Sequence, residues 1–319
     1  MATWSPAGRS IIIRVFDRLR SKTDPPIDTT ELTQECASLM DLGKYGKAAR
    51  CYDKVLELDP ENASAWTNKS NSLMNLRKYH EAIECCDKGI ELDPKNLTAW
   101  IIKGKCFQNL FGKRQEAIEC YDNAVELDPK CVDAWLNKGT VLWNLGEYER
   151  ADECFDRIIE LDSRNIKAWS GKLDLCERII MFNFANFQSW NNKGRALRNL
   201  GRHNDAIRAF DVSIEYDPRS AAAWYNKGVA LYDLKKYAEA IECYGKATRL
   251  DPSYAKAWYA KGLALMSRAE YEKAIKAFDT AIRINPKCTK AWRAKGLSLR
   301  ALGHTFEADL AFAMASGLG

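Results

Sequence analysis

The sequence is poor in the residues from which most catalytic sites are built. It has three histidines, His80, His203 and His304, and they lie too far apart along the chain to share a metal or to serve one nucleophile. It contains no phosphate-binding glycine-rich loop, no G-x-S-x-G element and no H-E-x-x-H element. Its carboxylates recur at regular spacings and form no unique pair. We therefore expect a protein that is not an enzyme and that needs no cofactor and no metal.

Long hydrophobic runs and paired-cysteine elements are missing too. No stretch approaches the roughly 18 apolar residues of a membrane-spanning helix, and residues 11–13 are too few and too closely flanked by arginine to form a secretory segment. The sequence has eleven cysteines but no C-x-x-C. This usage predicts a reducing compartment, in which the cysteines stay as thiols, and a cytoplasmic location.

What the sequence does have is a regular series of eight tryptophans. All but one of the intervals between them are about 34 residues long, a period that is typical of a repeat architecture. The exception is the much shorter interval between Trp169 and Trp190. The members of the series are Trp66, Trp100, Trp135, Trp169, Trp190, Trp224, Trp258 and Trp292.

The residues between the tryptophans repeat as well. A small residue follows most tryptophans by four positions, as at Gly104 and Gly228, and an alanine follows by sixteen or seventeen, as at Ala117 and Ala240. An aromatic residue usually lies four positions further on, and most copies end in Asp-Pro or Asn-Pro. Apolar residues at offsets of three, four and seven indicate helices, and glycine and proline indicate turns. Each unit is therefore predicted to be two antiparallel helices.

This pattern carries a resemblance to a known family. The elements W-x2-L-G-x2-Y, A-x3-F and P resemble the tetratricopeptide repeat, and they recur over residues 29–319. The first copy departs from them, with Leu32 in place of tryptophan and Cys36 in place of glycine. The resemblance implies an all-α, right-handed superhelical solenoid of helix-turn-helix pairs, interrupted by one truncated repeat. It also implies a non-catalytic scaffold that binds other proteins.

One departure from the family recurs in every copy that carries tryptophan. A lysine stands three positions after each Trp, where the family usually has leucine. A ladder of lysines could track the phosphates of an anionic polymer. The second helices, however, carry a matching column of aspartates that is broken only at Gly245. Because a lysine stem can cover the core while its head meets a carboxylate, we interpret the two columns as structural ion pairs.

The resemblance also indicates a binding surface. In tetratricopeptide arrays the first helix of each pair lines a concave groove, and its second, fifth, ninth, twelfth and thirteenth positions face the ligand when Trp is counted as the fourth. The sixth position holds a peptide backbone in some arrays when it is asparagine. These positions predict an aromatic and aliphatic floor flanked by cations in the last four copies, and a more neutral wall anchored by Trp143 before them. The predicted peptide-binding residues are Asn192, Arg195, Arg198, Tyr225, Asn226, Tyr232, Lys256, Tyr259, Met266, Arg293 and Arg300.

Three functions are compatible with this surface. The preferred one is a protein-interaction scaffold that binds an acidic or amphipathic peptide segment in the groove. The first alternative is single-stranded RNA binding by the basic C-terminal half, with tyrosines stacking on bases, although the repeats lack a base-reading pair. The second is self-assembly, either between acidic and basic halves or through the apolar last helix.

The short interval between Trp169 and Trp190 marks the truncated repeat. Relative to the regular period, most of a second helix is missing. Two arrangements stay open. In one, residues 180–186, which span about 23 Å when extended, return the chain and restart the array in register. In the other, the next helix runs antiparallel and the array is kinked or inverted. In both, the residues expected to cover the exposed seam are Met181, Phe182, Phe184 and Phe187.

Charge divides the chain near the same place. Residues 29–181 hold 21 basic and 27 acidic residues, whereas residues 182–319 hold 22 basic and 13 acidic residues. Such asymmetry steers a negatively charged partner to the second half. The predicted segments are a basic N-terminal helix and linker at residues 1–28, four repeats at 29–165, a truncated junction at 166–186 and four repeats at 187–319.

Both ends of the sequence suggest further contacts. Residues 9–20 predict an amphipathic helix with Arg14 and Arg18 opposite an apolar face. We expect this helix to cap the first repeat, and contact with an anionic membrane surface or use as an organelle presequence are the alternatives. The sequence ends within the second helix of the last repeat, where Phe306 and Leu310 have no capping helix, which predicts association or a fraying terminus.

Overall fold

The structure is a computed structural model and describes residues 29–317. In this range it consists of seventeen α-helices without a strand, and every helix has 12 to 14 residues except the ninth, which has 17. The all-α helical repeat solenoid predicted from the sequence is thereby confirmed. The helix predicted at residues 9–20 lies outside the described part of the chain.

The helices fall into two compact units, one that ends at Val141 and one that begins at Leu142, within α7. The helices up to that boundary are α1 (Thr30–Asp41), α2 (Tyr45–Leu58), α3 (Ala63–Asn75), α4 (Tyr79–Leu92), α5 (Leu97–Asn109), α6 (Arg114–Leu127) and α7 (Val132–Leu145). Those after it are α8 (Tyr148–Leu161), α9 (Ile166–Phe182), α10 (Phe187–Asn199), α11 (His203–Tyr216), α12 (Ala221–Asp233), α13 (Tyr237–Leu250), α14 (Ala255–Ser267), α15 (Tyr271–Ile284), α16 (Thr289–Ala301) and α17 (Thr305–Gly317).

Each tryptophan of the series forms a hydrogen bond that connects the start of its helix to the preceding turn. All eight indole N–H groups donate to the backbone carbonyl six positions earlier, at 2.7–3.2 Å. The acceptor is a proline carbonyl in six copies, and Ser163 and Phe184 supply it in the other two. The bond therefore depends on the shape of the turn and not on proline itself.

The turn inside each helix pair has one residue in the left-handed region. Five copies use glycine there, with φ between 69° and 84°, as at Gly201. The other three copies use Arg77, Lys235 and Ala269, with φ of 58–61°. Because a Cβ is disfavoured at positive φ, these three positions carry backbone strain that the glycine copies avoid.

The two helices of a pair approach most closely where glycine faces an aromatic ring. A Cβ on Gly104 would lie 2.7 Å from Cε1 of Tyr121, and one on Gly228 would lie 2.7 Å from Cε1 of Tyr244. The second pair, α3 and α4, instead buries Ser70 against Cys86, both fully shielded from solvent. Serine is larger than the glycine of the other copies and cysteine is smaller than their aromatic residue, so the two side chains together still fill the space.

The prediction that all cysteines are thiols is wrong for one pair. Cys36 and Cys51 form a disulfide between α1 and α2, with Cα atoms 5.4 Å apart. Cys36 stands in the glycine slot of its first helix, and Cys51 stands in a buried slot of its second helix. In four other copies the slot of Cys51 holds a buried thiol, and burial raises the pKa of Cys85 to about 11 and that of Cys120 to about 12.

One helix takes the place of a helix pair at the short tryptophan interval. The beginning of α9 behaves as a first helix, because the Trp169 indole donates to Ser163 and the Lys172 ammonium lies 2.5 Å from Asp156 in α8. Its end behaves as a second helix, because Glu177 pairs with Lys193 of α10 at 3.0 Å. The same separation in sequence joins the acid and the lysine of regular copies, as in Asp211 and Lys227.

The turn after α9 decides between the two arrangements left open by the sequence. The N–H of Asn183 donates to the Ile179 carbonyl at 2.8 Å, as Asp59 donates to Val55 at the end of α2. Residues 180–182 are helical and residues 183–186 form a short turn, so the chain does not stretch back to restart the array. The restart in register is wrong, and α10 runs antiparallel to α9.

Three of the four residues expected to cover the seam are largely exposed, and the fourth, Phe187, is half-buried. Met181 and Phe182, at the end of α9, are 79% and 80% exposed, and Phe184, in the turn, is 59% exposed with its ring against Trp190 and Tyr216. Trp169 and Leu173 fill the seam instead, packed in one cluster with residues of α10 and α11. Trp169 is the one tryptophan of the series that is buried, at 5% exposure, and the others are half-buried.

Candidate functional site

The lysine and acid columns form ion pairs, which confirms their structural interpretation. Seven of the eight column lysines have a carboxylate oxygen of the preceding second helix within 2.5–3.0 Å. Seven also lie 5.2–5.7 Å from the centroid of a tryptophan ring three positions earlier. The column is therefore engaged in holding neighbouring repeats together and does not form a free basic ladder.

The predicted binding residues lie on α10, α12, α14 and α16, which we call the first-helix face. On this face, side chains of neighbouring first helices are bonded to each other when they are 35 residues apart, one more than the repeat period. The Asn226 amide donates to Oδ1 of Asn191 at 3.0 Å, and Nε of Arg198 lies 2.6 Å from Oδ2 of Asp233. The hydroxyl groups of Tyr232 in α12 and Ser267 in α14 share a hydrogen bond of 3.2 Å.

Tyrosines form the aromatic part of the face and are half-buried. The ring of Tyr225 lies 5.1 Å from that of Tyr254 and 5.9 Å from that of Tyr244, and the ring of Tyr259 lies 5.9 Å from that of Phe278. Burial raises the pKa of Tyr225, and the charge of Arg198 opposes that rise. Burial also raises the pKa of Tyr259. These rings are fixed by packing on one side, which limits the entropy that a ligand would have to remove.

The cations of the face divide into two groups. Among residues 29–317, Arg195, Lys256 and Arg293 are exposed and have no ion pair, and the Arg195 guanidinium contacts Asn192 and the ring of Trp169. Arg198 and Arg300 are engaged, the latter with Asp309 at 2.9 Å.

The remaining predicted residue, Met266, is half-buried in a cluster with Leu265 and Phe278. The fold therefore gathers the predicted residues on one face and leaves three of the cations unpaired.

Sequence reasoning missed Asp233, which occupies the thirteenth position of α12. Its carboxylate contacts Arg198 and lies 3.8 Å from Nδ1 of His203, a ring nitrogen that is buried without a hydrogen bond. The available signal was its position, since the thirteenth position belongs to the ligand-facing set given above. The Trp143 indole N–H is likewise buried without a partner in the part of the chain that is described.

The described residues offer no evident place for a metal. No cluster of three or more His, Cys, Asp or Glu side chains in residues 29–317 is arranged to hold an ion. Within the same range, no helix combines the length and the apolar character needed to cross a membrane. The predicted cytoplasmic location stays a prediction.

A regularly spaced array of helix pairs tied by tryptophan and lysine defines a helical repeat protein. A family model described as tetratricopeptide repeat matches residues 111–166, 191–255, 234–287 and 259–308, more than half of the chain. The chain belongs to the tetratricopeptide repeat family. A second model, described as anaphase-promoting complex, cyclosome, subunit 3, matches residues 41–124. Neither model matches residues 167–190, which contain most of α9.

Several solved structures are similar to the chain. MamA is 25% identical over 56% of this chain and 93% of its own, with a TM-score of 0.41. YrrB, described as a TPR protein with an unusual peptide-binding site, is 22% identical over 67% and 98%, with a TM-score of 0.36. A tetratricopeptide repeat protein from Parabacteroides merdae is 18% identical over 84% and 98%, with a TM-score of 0.43. No curated protein matches the chain significantly.

The family match supports a role as a protein-interaction scaffold. Tetratricopeptide repeats are generally non-catalytic and present an extended surface to other proteins.

Proposed function

We propose that the first-helix face binds an acidic or amphipathic peptide segment of a partner protein. The observation that carries this proposal is the placement of three exposed, unpaired cations, Arg195, Lys256 and Arg293, on the same face as half-buried Tyr225 and Tyr259. Apolar surface ringed by charge is typical of an interaction site. An unpaired cation can bind a ligand carboxylate without breaking an existing ion pair.

Each group of side chains has a role in this proposal. Lys256 and Arg293 pair with carboxylates of the segment, and their charge sets its direction along the face. Tyr225, Tyr259 and Met266 receive its apolar side chains. Asn192 and Asn226 contact its backbone, because amide groups both donate and accept hydrogen bonds. Arg198 keeps its bond to Asp233 and positions Tyr225.

The test is a titration of the full chain with a fluorescent acidic peptide that carries one aromatic residue. Lys256→Glu and Arg293→Glu should each weaken binding by about tenfold, the effect of losing one well-placed charge pair. Lys95→Glu is the matched control, since Lys95 is exposed in a turn of the first unit and has no side-chain bond in the described structure. Equal affinities of the variants and the control would refute the proposal.

A parallel titration with single-stranded RNA at two salt concentrations separates the RNA-binding alternative. Neutralised phosphates make protein–RNA affinity fall steeply with salt. Tight RNA binding with such a slope, together with weak peptide binding, would contradict the peptide proposal. Self-assembly of the chain in place of any ligand binding would contradict it as well.

A further inference from the structure

One copy of the repeat lacks the carboxylate that pairs with the column lysine in the other copies. Lys261 of α14 is the member of the lysine column that has no ion pair among the described residues, and Gly245 of α13 stands where the other second helices have a carboxylate. One turn further along α13, Arg249 replaces an acid as well. The equivalent residues in five other copies are Glu57, Glu91, Glu126, Glu160 and Glu215, and the copy after it has Arg283.

The two cations flank the empty position. A Cβ built on Gly245 would lie 3.8 Å from Nη1 of Arg249 and 3.9 Å from Nζ of Lys261, with no other side chain within 4 Å. These are ordinary van der Waals distances, so a Cβ would fit there without displacing its neighbours. Burial and the charge of Arg249 lower the pKa of Lys261, because the protonated form lacks a compensating carboxylate.

Lys261 also lines an open groove of about 580 Å³, whose residues come mainly from α13, α14 and α15. Trp258 and Leu265 lie at its base, and Lys261 and Lys276 are lining cations without an ion pair in the described range. Two further lining cations, Arg268 and Lys273, are paired with Glu270 at 3.1 Å and 2.8 Å. The lining also includes the carboxylate of Glu242, so four cations stand against two acids, and the approach to Lys261 has a net positive charge beside apolar lining residues.

This groove is separate from the first-helix face. Lys261 follows Tyr259 by two positions, so the two side chains leave α14 about 200° apart. A ligand on the tyrosines therefore does not reach the groove, and the inference below does not rest on the proposed function.

We propose that a carboxylate from an acidic segment of a protein partner inserts beside Gly245 and bridges Lys261 and Arg249. The chain itself defines this ligand, because the seven equivalent lysines each hold a carboxylate oxygen at 2.5–3.0 Å. The carboxylate of the partner takes the place of the carboxylate that the other copies have in their own preceding helix. Arg249 adds a second donor, and the other oxygen of the carboxylate can accept a hydrogen bond from it.

The test follows the lysines of the full chain directly. The protein is reductively methylated with ¹³C, the Lys261 signal is assigned by its loss in Lys261→Arg, and a hexa-aspartate peptide or inorganic phosphate is titrated in. The peptide should move the Lys261 signal saturably, whereas the signal of Lys227, which is paired with Asp211 at 2.6 Å, should stay in place. In Gly245→Asp the affinity reported by Lys261 should fall by about tenfold or more, because an internal carboxylate fills the position.

Two further variants make the result specific. Gly46→Asp adds the same charge at an open helical glycine of α2 and should leave the Lys261 titration unchanged. Lys256→Glu, which alters the first-helix face, should leave it unchanged too, so that failure of the proposed function and failure of this site are distinguishable. Thermal unfolding of each variant verifies that it folds.

Three outcomes would overturn the inference. The first is a Lys261 signal that the peptide does not move. The second is an unchanged titration in Gly245→Asp. The third is tighter binding of inorganic phosphate than of the peptide, which would make the position a phosphate site and not a carboxylate site.

Discussion

At the scale of single residues, repetition gives each slot a fixed physical task. Tryptophan closes the turn before its helix, and the lysine three positions later crosses the indole ring to reach an acid of the preceding helix. Because the acid of each pair remains open to solvent, each pair contributes at most about 1 kcal/mol. Their value lies in register, because an acid and a lysine at this fixed separation can meet only when neighbouring repeats are stacked correctly.

The pair Ser70 and Cys86 gives the first prediction. Cys86→Phe should lower the free energy of unfolding by about 1–3 kcal/mol, because the ring needs the space that Ser70 occupies. Adding Ser70→Gly should recover most of the loss, since the glycine copies place an aromatic ring there. Urea unfolding of the two single variants and the double variant measures the coupling. Additive effects would show that the two residues do not share a space.

The strained turn residues give the second prediction. Ala269→Gly should raise the free energy of unfolding by about 0.5–1 kcal/mol, because Ala269 has a φ of 58° that glycine adopts without cost. Ala313→Gly, at an exposed position inside α17, is the matched control and should lower it by about 1 kcal/mol. Equal losses in both variants, measured by chemical unfolding, would contradict the strain argument.

Residue-scale features differ in how far the sequence predicts them. The lysine–aspartate pairs were predictable, because two columns with a constant offset can be recognised without coordinates. The bond between Arg198 and Asp233 was not predicted, since the family pattern assigns both of their positions, the twelfth and the thirteenth, to the ligand and does not say that they pair with each other. Residues such as Tyr225 stay predictions for the binding site, and their packing on Tyr244 and Tyr254 is the part that the structure adds.

At the scale of helices, α9 differs from the others because this single helix takes the place of a helix pair. Its first half makes the contacts of a first helix and its second half those of a second helix, so one helix of 17 residues connects α8 to α10. The period of the sequence revealed that residues were missing. It did not reveal which residues were missing. The interval is shortened equally when a whole second helix is lost and when the turn between the two helices of a pair is lost together with the helix ends beside it.

Trp169 supplies a prediction at this scale. Trp169→Ala should lower the free energy of unfolding by about 3–5 kcal/mol, because the ring is buried against Leu197 and Phe210. Trp66→Ala is the comparison, and its smaller effect is expected because Trp66 is half-buried. Chemical unfolding of both variants measures the difference. A loss in Trp66→Ala as large as that in Trp169→Ala would contradict the role given to α9.

The disulfide between α1 and α2 supplies another. Unfolded protein without reductant should react with two fewer equivalents of a thiol-alkylating reagent than unfolded protein with reductant, as counted by mass spectrometry. Peptide mapping should assign the difference to Cys36 and Cys51. Cys85, whose burial raises its pKa to about 11, should react slowly in the folded protein at neutral pH. Full alkylation without reductant would contradict the disulfide.

At the scale of the whole molecule, the chain is a tetratricopeptide repeat array whose charge changes sign along its length. The sequence predicted the all-α repeat fold because period, turn residues and helix spacing agree with one another. It could not predict which cations remain unpaired. Arg198 and Arg195 are close together on one helix, yet only Arg198 meets an acid, and that acid comes from the next first helix.

A photo-crosslinking experiment tests most directly whether the first-helix face binds an acidic segment. An acidic peptide with a photoreactive group at its centre is irradiated with the full chain, and the sites of attachment are mapped by mass spectrometry. Attachment should fall on α12 and α14 around Tyr225 and Tyr259, and it should be lost in the double variant Lys256→Glu, Arg293→Glu. Attachment confined to second helices, or equal attachment in the double variant, would contradict the account.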